Sequence, residues 1–276
     1  MWFLSDHFHR LNERYQGPEG DAFALEELVP VARRFLPAGG RVLEVGCGYG
    51  RNLVALAELP ASLVVGSDVA LPELLRARTE RLASLPPERR ARSWLVQQDR
   101  SRLPFEDSCF DLVVLWQVLE HLFGEEPKQR TLEECVRVLR PGGHLLIETP
   151  NQWFPFDYHD NKLPLVHWVL PPAAREWLTW KVRGKRYPPS EYLSLPHCER
   201  LIRDSPGVAR VARATRIYFA SSFADAWHGL AGSQVGLKRL IFALAAPVHL
   251  ALSPFGGSAD LILPSLRVVW KIDKHG

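Results

Sequence analysis

The stretch GRVLEVGCGYGRN, residues 40–52, decides the fold of this chain. Its apolar run ends in Glu44 and predicts a buried β-strand, and residues 52–59 predict the helix that follows. Three alternate glycines join the two elements, so the backbone there can approach a ligand closely. A dinucleotide site would need a further glycine at position 51, where Arg51 stands, so the spacing argues against NAD. A tight turn that binds nothing is the alternative.

Further strands follow at regular spacing. Residues 63–68 predict a second strand that ends in Asp68, whose carboxylate can accept hydrogen bonds from both hydroxyls of a ribose. Residues 94–99 predict a third strand that ends in Asp99, and a fourth strand enters through Asp111. A helix ending near residue 140 stops before Pro-Gly-Gly, and residues 144–149 predict the fifth strand. Acids therefore end each of the first three strands.

A set of short motifs occurs in order along this region. They are EVGCGYG at 44–50, SD at 67–68, Asp99 with LPF at 103–105, FD at 110–111, LEH at 119–121 and RPGG at 140–143. Together they resemble the class I S-adenosylmethionine-dependent methyltransferases, nearest to the quinone-biosynthesis and glycan-tailoring type. The resemblance covers roughly residues 25–151. It implies an α/β fold, a doubly wound, Rossmann-like, mostly parallel sheet of the seven-strand type whose last strand is antiparallel, with helical lid insertions.

The same resemblance implies the donor, S-adenosylmethionine, its product, S-adenosylhomocysteine, and the residues that bind them. Asp111 is expected to orient the loop rather than to contact the ligand. The expected donor contacts are Glu44, Gly46, Cys47, Gly48 and Gly50 with the methionine end, Asp68 and the adjoining Val69 with the ribose, Asp99 and the adjoining Arg100 with the adenine, and Gln117 with the methionine moiety.

The acceptor side is predicted just after the fifth strand, where residues 149–160 would cap the pocket. His159, beside Asp160, is the first candidate for a general base, because histidine titrates near neutral pH and a carboxylate can orient it. A surface histidine on a loop is the alternative. His121 is a second candidate, with helix packing as its alternative, and for His167 we favour a hydrogen-bonded core position.

Neither a metal site nor a nucleic-acid site is predicted. Asp157, His159 and Asp160 lack the spacing of a closed zinc shell, although a magnesium-assisted site stays open as an alternative. The arginines between residues 76 and 92 are interrupted by acids and prolines, which favours a solvated helix and loop. Four cysteines without a C-x-x-C pair, and a start without a basic leader, favour a reducing cytoplasm.

The charge is distributed unevenly over what we expect to be a single domain, residues 1–276. Residues 161–276 hold 16 Lys and Arg against 7 Asp and Glu, a balance of +9, and five of nine tryptophans lie between Trp153 and Trp227. A basic, tryptophan-rich part suggests a partner with an anionic surface. We therefore expect a cytoplasmic location, with peripheral contact at the inner face of a membrane as the alternative. The core is about 25–151 plus late strands at about 208–218 and 265–272, with insertions at about 150–200 and 221–264.

Two predicted helices within the insertions bear on whether the protein contacts a membrane. Residues 172–183 place Ala173, Trp177, Leu178 and Trp180 on one side, and we expect that apolar stripe to be core rather than membrane-facing. The basic residues 181, 183, 185 and 186 keep the second interpretation open. The apolar run 240–252 is too short to span a bilayer, which needs about 20 residues, and a buried helix is favoured over an interfacial anchor.

The sequence thus predicts an S-adenosylmethionine-dependent O-methyltransferase that acts on a small-molecule or lipid-like acceptor, amphiphilic in character: a lipid-linked glycan, an isoprenoid or a quinone precursor. No metal cofactor is expected. A methyltransferase of a soluble secondary metabolite is one alternative. A non-catalytic, methyltransferase-like binding subunit is another, although Gly48 and Asp68, which such a subunit could lose, are both present. The oligomeric state is left open.

Overall fold

A computed structural model describes residues 21–22, 24–98, 102–157, 160, 163–184, 190–215, 218–220, 222–228, 235–252 and 263–275. Seven strands of this part form one sheet in the order β3-β2-β1-β4-β5-β9-β8, and β6 pairs with β7 in a separate hairpin. The strands are β1 (Arg41–Val45), β2 (Leu63–Asp68), β3 (Ser93–Gln97), β4 (Phe110–Trp116), β5 (Leu139–Pro150), β6 (Phe156–Asp157), β7 (Leu163–Pro164), β8 (Val208–Arg213) and β9 (Ser265–Lys274).

The strand directions confirm the predicted fold class. Strands β1 to β5 pair in parallel, whereas β9 runs antiparallel to both β5 and β8. The sheet order reverses between β1 and β4, and a ligand site is expected beyond the carboxyl ends of the strands at such a switch point. Strands β1, β2 and β4, which carry three of the predicted donor motifs, have their carboxyl ends at this edge of the sheet.

Helices connect the strands and cover both faces of the sheet. A π-helical segment, Ala24–Leu28, leads into the first of them, and another, Ala77–Arg81, extends the helix Leu71–Arg76. The helices are α1 (Val29–Phe35), α2 (Arg51–Leu56), α3 (Leu71–Arg76), α4 (Pro87–Arg90), α5 (Glu125–Val138), α6 (Val166–Val169), α7 (Pro172–Arg183), α8 (Leu195–Arg203), α9 (Phe223–His228) and α10 (Val235–Leu252).

The core consists of two layers because adjacent strand residues point to opposite faces of the sheet. On β1, Leu43 belongs to the layer packed beneath α5 and α8, and Val42 belongs to the layer packed beneath α1 and α2. The central strand β4 is buried along its whole length. Burial on both faces is what parallel strands with crossover helices require, and it explains why these strands read as continuous apolar runs.

Two predicted boundaries were wrong in detail. Strand β5 begins at Leu139, not at residue 144, because Gly142 takes a positive φ of 73° and Gly143 then pairs with Ile272 of β9. The preceding helix accordingly ends at Val138. The late strand predicted to reach residue 218 stops at Arg213.

The insertion at about 150–200, which follows β5 and is called the lid below, buries several polar residues. Asp160 accepts hydrogen bonds from both the backbone N–H and the hydroxyl of Ser190, and it forms an ion pair with Arg175 of α7 at 3.3 Å. Asp157 accepts a hydrogen bond from the Tyr192 hydroxyl at 2.6 Å. These buried groups attach the hairpin β6–β7 and helix α7 to the strand-like segment near residue 190.

The predicted core stripe on α7 was wrong, because the buried face of this helix is its polar face. Arg175 and Thr179 are buried, whereas Trp177 is 58% exposed. The cause is tertiary: Asp160 and the Ser190 carbonyl accept hydrogen bonds from Nη2 of the Arg175 guanidinium and thereby hold this face of the helix inside the lid. Trp177 is left on the outside, and Trp180 is half-buried.

Helix α10 is buried on one side only, so the prediction of burial holds for part of it. Phe242 and Ala245 pack with Ala226 and Leu263, and Phe242 meets the Tyr218 ring edge-on at 5.2 Å. Leu244 on the opposite side is 71% exposed. Among the helices that the structure describes, we find none with the length and apolar content needed to cross a membrane.

Candidate functional site

The glycine loop between β1 and α2 is folded onto the end of β2. The backbone N–H groups of Gly46 and Cys47 both donate to the Ser67 carbonyl, at 2.7 and 3.0 Å. Gly46, Gly48 and Gly50 all have positive φ angles, of 76°, 52° and 86°. Residues with a Cβ rarely adopt this conformation, which is why the loop alternates glycine with other residues.

A second turn, after β4, closes on the same loop. A Cβ added at Gly46 would lie 2.6 Å from a methyl carbon of Val118, so the two turns are in direct contact. Gln117 precedes Val118, has a positive φ of 55°, and donates its backbone N–H to the Glu148 carbonyl at 2.8 Å. The predicted donor residues Gly46 and Gln117 are therefore brought together at the carboxyl ends of β1 and β4.

Asp68 connects the loop to β2. Its Oδ2 accepts the backbone N–H of Gly48 and its Oδ1 accepts that of Ala70, both at 2.8 Å. A carboxylate offers about four acceptor positions, more than these N–H groups occupy, so it can still accept from a ribose hydroxyl. Burial raises the pKa of Asp68, and the backbone N–H groups of Ala70, Gly48 and Val69 oppose that rise. The neighbouring Val69 is exposed.

Glu44, at the end of β1, is a buried carboxyl at the base of the site. It is 1% exposed, and this burial raises its pKa to about 7, although a hydrogen bond with Asn52 and the charge of Arg51 lower it. Within the described part of the chain, Oε2 of Glu44 has no hydrogen-bond donor. A buried carboxyl with one oxygen left without a donor is suited to bind a cationic group brought by a ligand.

Two residues of the loop are held by their surroundings. Burial, with the nearby charges of Glu44 and Asp68, raises the pKa of the Cys47 thiol well above its usual range, so the thiol stays protonated. The Tyr49 ring lies beneath the guanidinium of Arg81, whose Nη2 also donates to the Tyr49 hydroxyl at 2.8 Å. Arg76 lies over the same ring. The arginines between residues 76 and 92 were predicted to be solvated, but Arg76 and Arg81 pack on Tyr49 of the glycine loop.

Three of the predicted site residues, Asp99, Arg100 and His159, lie outside the described residues. Their roles stay predictions. Gln98, the last residue described before Asp99, donates its backbone N–H to the Asp68 carbonyl at 3.0 Å. His159 lies in the chain between Asp157 and Asp160, which are both buried in the lid.

The other candidate histidines differ in their surroundings. His121 ends a 3-10 turn, Leu119–His121, directly after the Gln117 turn, and it is half-buried. Its neighbour Glu120 is fully buried and accepts a hydrogen bond from the Thr149 hydroxyl at 2.9 Å. Nε2 of His167 lies 3.1 Å from the Gln152 carbonyl, as expected of a hydrogen-bonded histidine, but the side chain is half-buried rather than in the core, and this burial lowers its pKa.

A cluster of ion pairs around the buried Arg267 was not predicted from the sequence. Arg267 of β9 forms ion pairs with Glu27, at 2.6 Å, and with Glu148, at 3.8 Å. Its guanidinium also lies 4.3 Å from the centroid of Tyr218 and 5.8 Å from that of Trp116. An arginine inside the apolar run LRVVW was the available signal, but its partners lie far away along the chain.

Among the described residues, no three His, Cys, Asp or Glu side chains are placed so that they could hold one metal ion. Asp157 and Asp160, two members of the alternative magnesium set, instead accept hydrogen bonds from Tyr192 and Ser190. The third member, His159, is not described.

Comparisons with known proteins agree with this geometry. The family model described as "Methyltransferase domain" matches residues 43–147. A probable S-adenosylmethionine-dependent methyltransferase of Mycolicibacterium smegmatis is 37% identical over 117 residues, which are 42% of this chain and 40% of that protein. A ubiquinone biosynthesis O-methyltransferase of Xanthomonas axonopodis pv. citri is 34% identical over 152 residues, 53% of this chain and 60% of that protein. The chain thus spans less than two thirds of each of these relatives.

A solved structure supports the fold over a longer range. The S-adenosylmethionine-dependent methyltransferase from Mesorhizobium loti aligns with 88% of this chain and 96% of its own, with a TM-score of 0.52 and 18% sequence identity. At this identity the likeness concerns the fold alone. It extends beyond residues 43–147 to most of the chain.

Proposed function

The chain carries a methyltransferase domain of the class I S-adenosylmethionine-dependent family, and from this premise we propose that it methylates a hydroxyl group of an amphiphilic acceptor. The observation that carries methyl transfer is the glycine loop closed on Asp68, with the buried Glu44 beneath it. We place the acceptor among lipid-linked glycans, isoprenoids and quinone precursors. Such an acceptor would bring the protein peripherally to the inner face of a membrane.

The residues of the site fit the donor. The backbone at Gly46, Gly48 and Gly50 leaves space for a close approach, and a bulkier loop would lose it. The free acceptor positions of Asp68 suit the ribose hydroxyls, and Glu44 suits the ammonium group of the methionine end. S-Adenosylmethionine, when bound, supplies a methyl group that its sulfonium has already activated.

The protein has little else to do than to orient the acceptor and take up its proton. Aligning two reactants in a closed site removes much of the entropic barrier to their reaction. A base is needed where the acceptor is a hydroxyl, and we assign that role to His159, with His121 as the second candidate. The relative named as a ubiquinone biosynthesis O-methyltransferase supports oxygen as the methylated atom.

Donor binding is the first test. Calorimetry should show that S-adenosylhomocysteine binds the wild-type protein and that Asp68→Ala weakens binding by about 1.5–3 kcal/mol, the range for hydrogen bonds that involve a charged group. Asp225→Ala, which removes an exposed acid on α9, is the control and should change nothing. Tighter binding of NAD, or binding that ignores Asp68, would contradict the proposal.

The acceptor is tested separately. The protein is incubated with donor labelled in the methyl group and with cell extract separated into lipid, polar-metabolite and macromolecular fractions. We expect the label in the lipid fraction. Label only among polar metabolites would replace the amphiphilic acceptor by a soluble one, and donor binding without any labelled product would favour a binding subunit.

A further inference from the structure

The lid of this protein exposes an apolar surface where a water-soluble protein would place polar residues. We propose that this lid surface, formed by Trp168, Val169, Trp177 and Lys181 on α6 and α7, binds the headgroup region of an anionic lipid bilayer. The inference deepens the proposed function, because an amphiphilic acceptor resides in a bilayer. Lipid binding can nevertheless be measured without donor or acceptor.

Helix α7 has the opposite polarity to a helix that faces water. Its buried side carries Arg175, which is 6% exposed, and Thr179, whose hydroxyl donates to the Arg175 carbonyl at 2.8 Å. Its outer side carries Trp177. Helices on the surface of soluble proteins bury the apolar stripe and expose the polar one. The inversion on α7 is compensated inside by Asp160 and Ser190, but nothing described covers the tryptophan outside.

Helix α6, which precedes α7 in the chain, also exposes apolar side chains. Val169 is 68% exposed and Trp168 is half exposed, although the indole N–H of Trp168 donates to the Gln152 carbonyl. Single apolar side chains on a protein surface are ordinary. Here three large ones, Trp168, Val169 and Trp177, are exposed within one short segment, and exposed apolar side chains that cluster favour an interaction site.

The charges favour a bilayer over a protein as the occupant. The Lys181 ammonium lies 4.5 Å from the ring centroid of Trp180 and 6.0 Å from that of Trp177. Apart from the buried Arg175, residues 163–190 contain four Lys and Arg against one Glu. Lysine is depleted from the centres of protein interfaces. At a bilayer, its apolar stem lies along the tryptophans while its ammonium reaches the phosphates.

Helix α10 offers a second surface of the same kind. Leu240, Leu244 and Leu250 are exposed, and Arg239 beside them lies over the Trp227 ring at 5.9 Å. The helix contains Pro247 and does not meet the requirements for a membrane span. Lying in the interface with its apolar side toward the acyl chains is the remaining way for such a helix to use a bilayer.

The test is co-sedimentation of the full chain with vesicles of phosphatidylcholine, with and without phosphatidylglycerol, at low and high ionic strength. We expect binding to the anionic vesicles at low salt and its loss at high salt. Val169→Ser/Trp177→Ser should weaken binding roughly tenfold or more, since its apolar contacts are removed. Lys181→Gln should weaken it about fivefold, from the roughly 1 kcal/mol that one cation contributes near an anionic surface.

Matched controls lie elsewhere on the protein. Trp94→Ser removes an equally exposed tryptophan from the edge strand β3, and Lys271→Gln removes an exposed lysine from β9; both should bind vesicles like the wild type. Circular dichroism of each variant shows whether it is folded. The proposal is overturned if the folded wild type stays in the supernatant with anionic vesicles at low salt, or if Val169→Ser/Trp177→Ser binds as tightly as wild type.

One further result would assign the surface to another occupant. If sedimentation velocity shows a wild-type dimer that Val169→Ser/Trp177→Ser cannot form, a second copy of the chain covers the lid surface and the bilayer proposal is overturned. Failure of the proposed function looks different, because vesicle binding would then persist while S-adenosylhomocysteine fails to bind.

Discussion

Replacing Glu44 by Gln tests the role that the buried carboxyl is given in donor binding. The ammonium group of the donor should bind the ionised form of Glu44, whose pKa in the free protein is about 7. A group with this pKa is about 10% ionised at pH 6 and about 50% at pH 7. Donor affinity should therefore rise about fivefold between pH 6 and pH 7, with a proton released on binding.

The variant should lose both the affinity and its pH dependence. Gln keeps the shape of the side chain but not the charge, so we expect binding of S-adenosylhomocysteine at pH 7 to weaken by about 1.5–3 kcal/mol. The α-amino group of the ligand titrates above this window, at about 7.7–8.0, and does not produce the slope. Asp68 also has a raised pKa, and any slope that remains in Glu44→Gln belongs to it.

Calorimetry at both pH values, in two buffers of different ionisation enthalpy, measures affinity and proton release together. Glu80→Gln, which changes an exposed acid on the segment after α3, is the control and should retain the wild-type slope. Equal affinity of the wild type at pH 6 and pH 7, or equal slopes in wild type and Glu44→Gln, would refute the assignment.

Ionisation of Glu44 should strengthen donor binding but destabilise the folded protein when no donor is bound. The folded pKa of Glu44 lies above its unfolded value of 4.5, so the folded state binds the extra proton and loses stability as the pH rises from about 4.5 to about 7. The loss amounts to about 3 kcal/mol. Without donor at pH 8, Glu44→Gln should therefore unfold at a higher temperature than wild type, as scanning calorimetry would show. A lower unfolding temperature would contradict this account of the raised pKa.

Three further predictions concern the loop, the base and the buried arginine. Gly46→Ala should abolish donor binding in calorimetry, because the added Cβ would lie 2.6 Å from a methyl group of the turn after β4; unchanged affinity would mean that the two turns can separate. His159→Ala should lower turnover about 10²- to 10⁴-fold with donor affinity retained. If steady-state assays show normal turnover, the role passes to His121 or to no side chain. Arg267→Met should lower the free energy of unfolding by about 3–5 kcal/mol in urea, because it removes the cation beside the buried Glu148 and the partly buried Glu27, whereas the exposed Arg210→Met should cost almost nothing. A loss as small for Arg267 as for Arg210 would contradict the buried pairing.

What the sequence predicted well depends on local patterns. The glycine loop, the acid that ends β2 and the succession of strands along the chain follow from apolar periodicity and turn residues that are neighbours in the chain, whereas the arrangement of the strands in the sheet was implied by the family resemblance. The predicted donor residues Gly46, Gly48 and Asp68 are contiguous with those patterns, and the structure brings them together.

What the sequence did not predict depends on distant partners. The helical periodicity of α7 showed two faces but not which of them the lid would cover, and Asp160 and Ser190 decided that by binding Arg175. The Arg267 cluster needs the register of β9 on β5, which sets Glu148 opposite Arg267, and no local pattern contains it.

The antiparallel strand β9 has a consequence for how the protein is made. It lies between β5 and β8, and Pro150 pairs with Ser265, so one side of the sheet is completed by residues translated long after the glycine loop. Until those residues leave the ribosome, β5 presents an unpaired edge whose side chains, such as Leu145 and Ile147, are destined for full burial. An apolar strand edge of this kind invites pairing with other nascent chains. Synthesis of this protein should therefore rely on chaperones that shield β5 until β9 arrives.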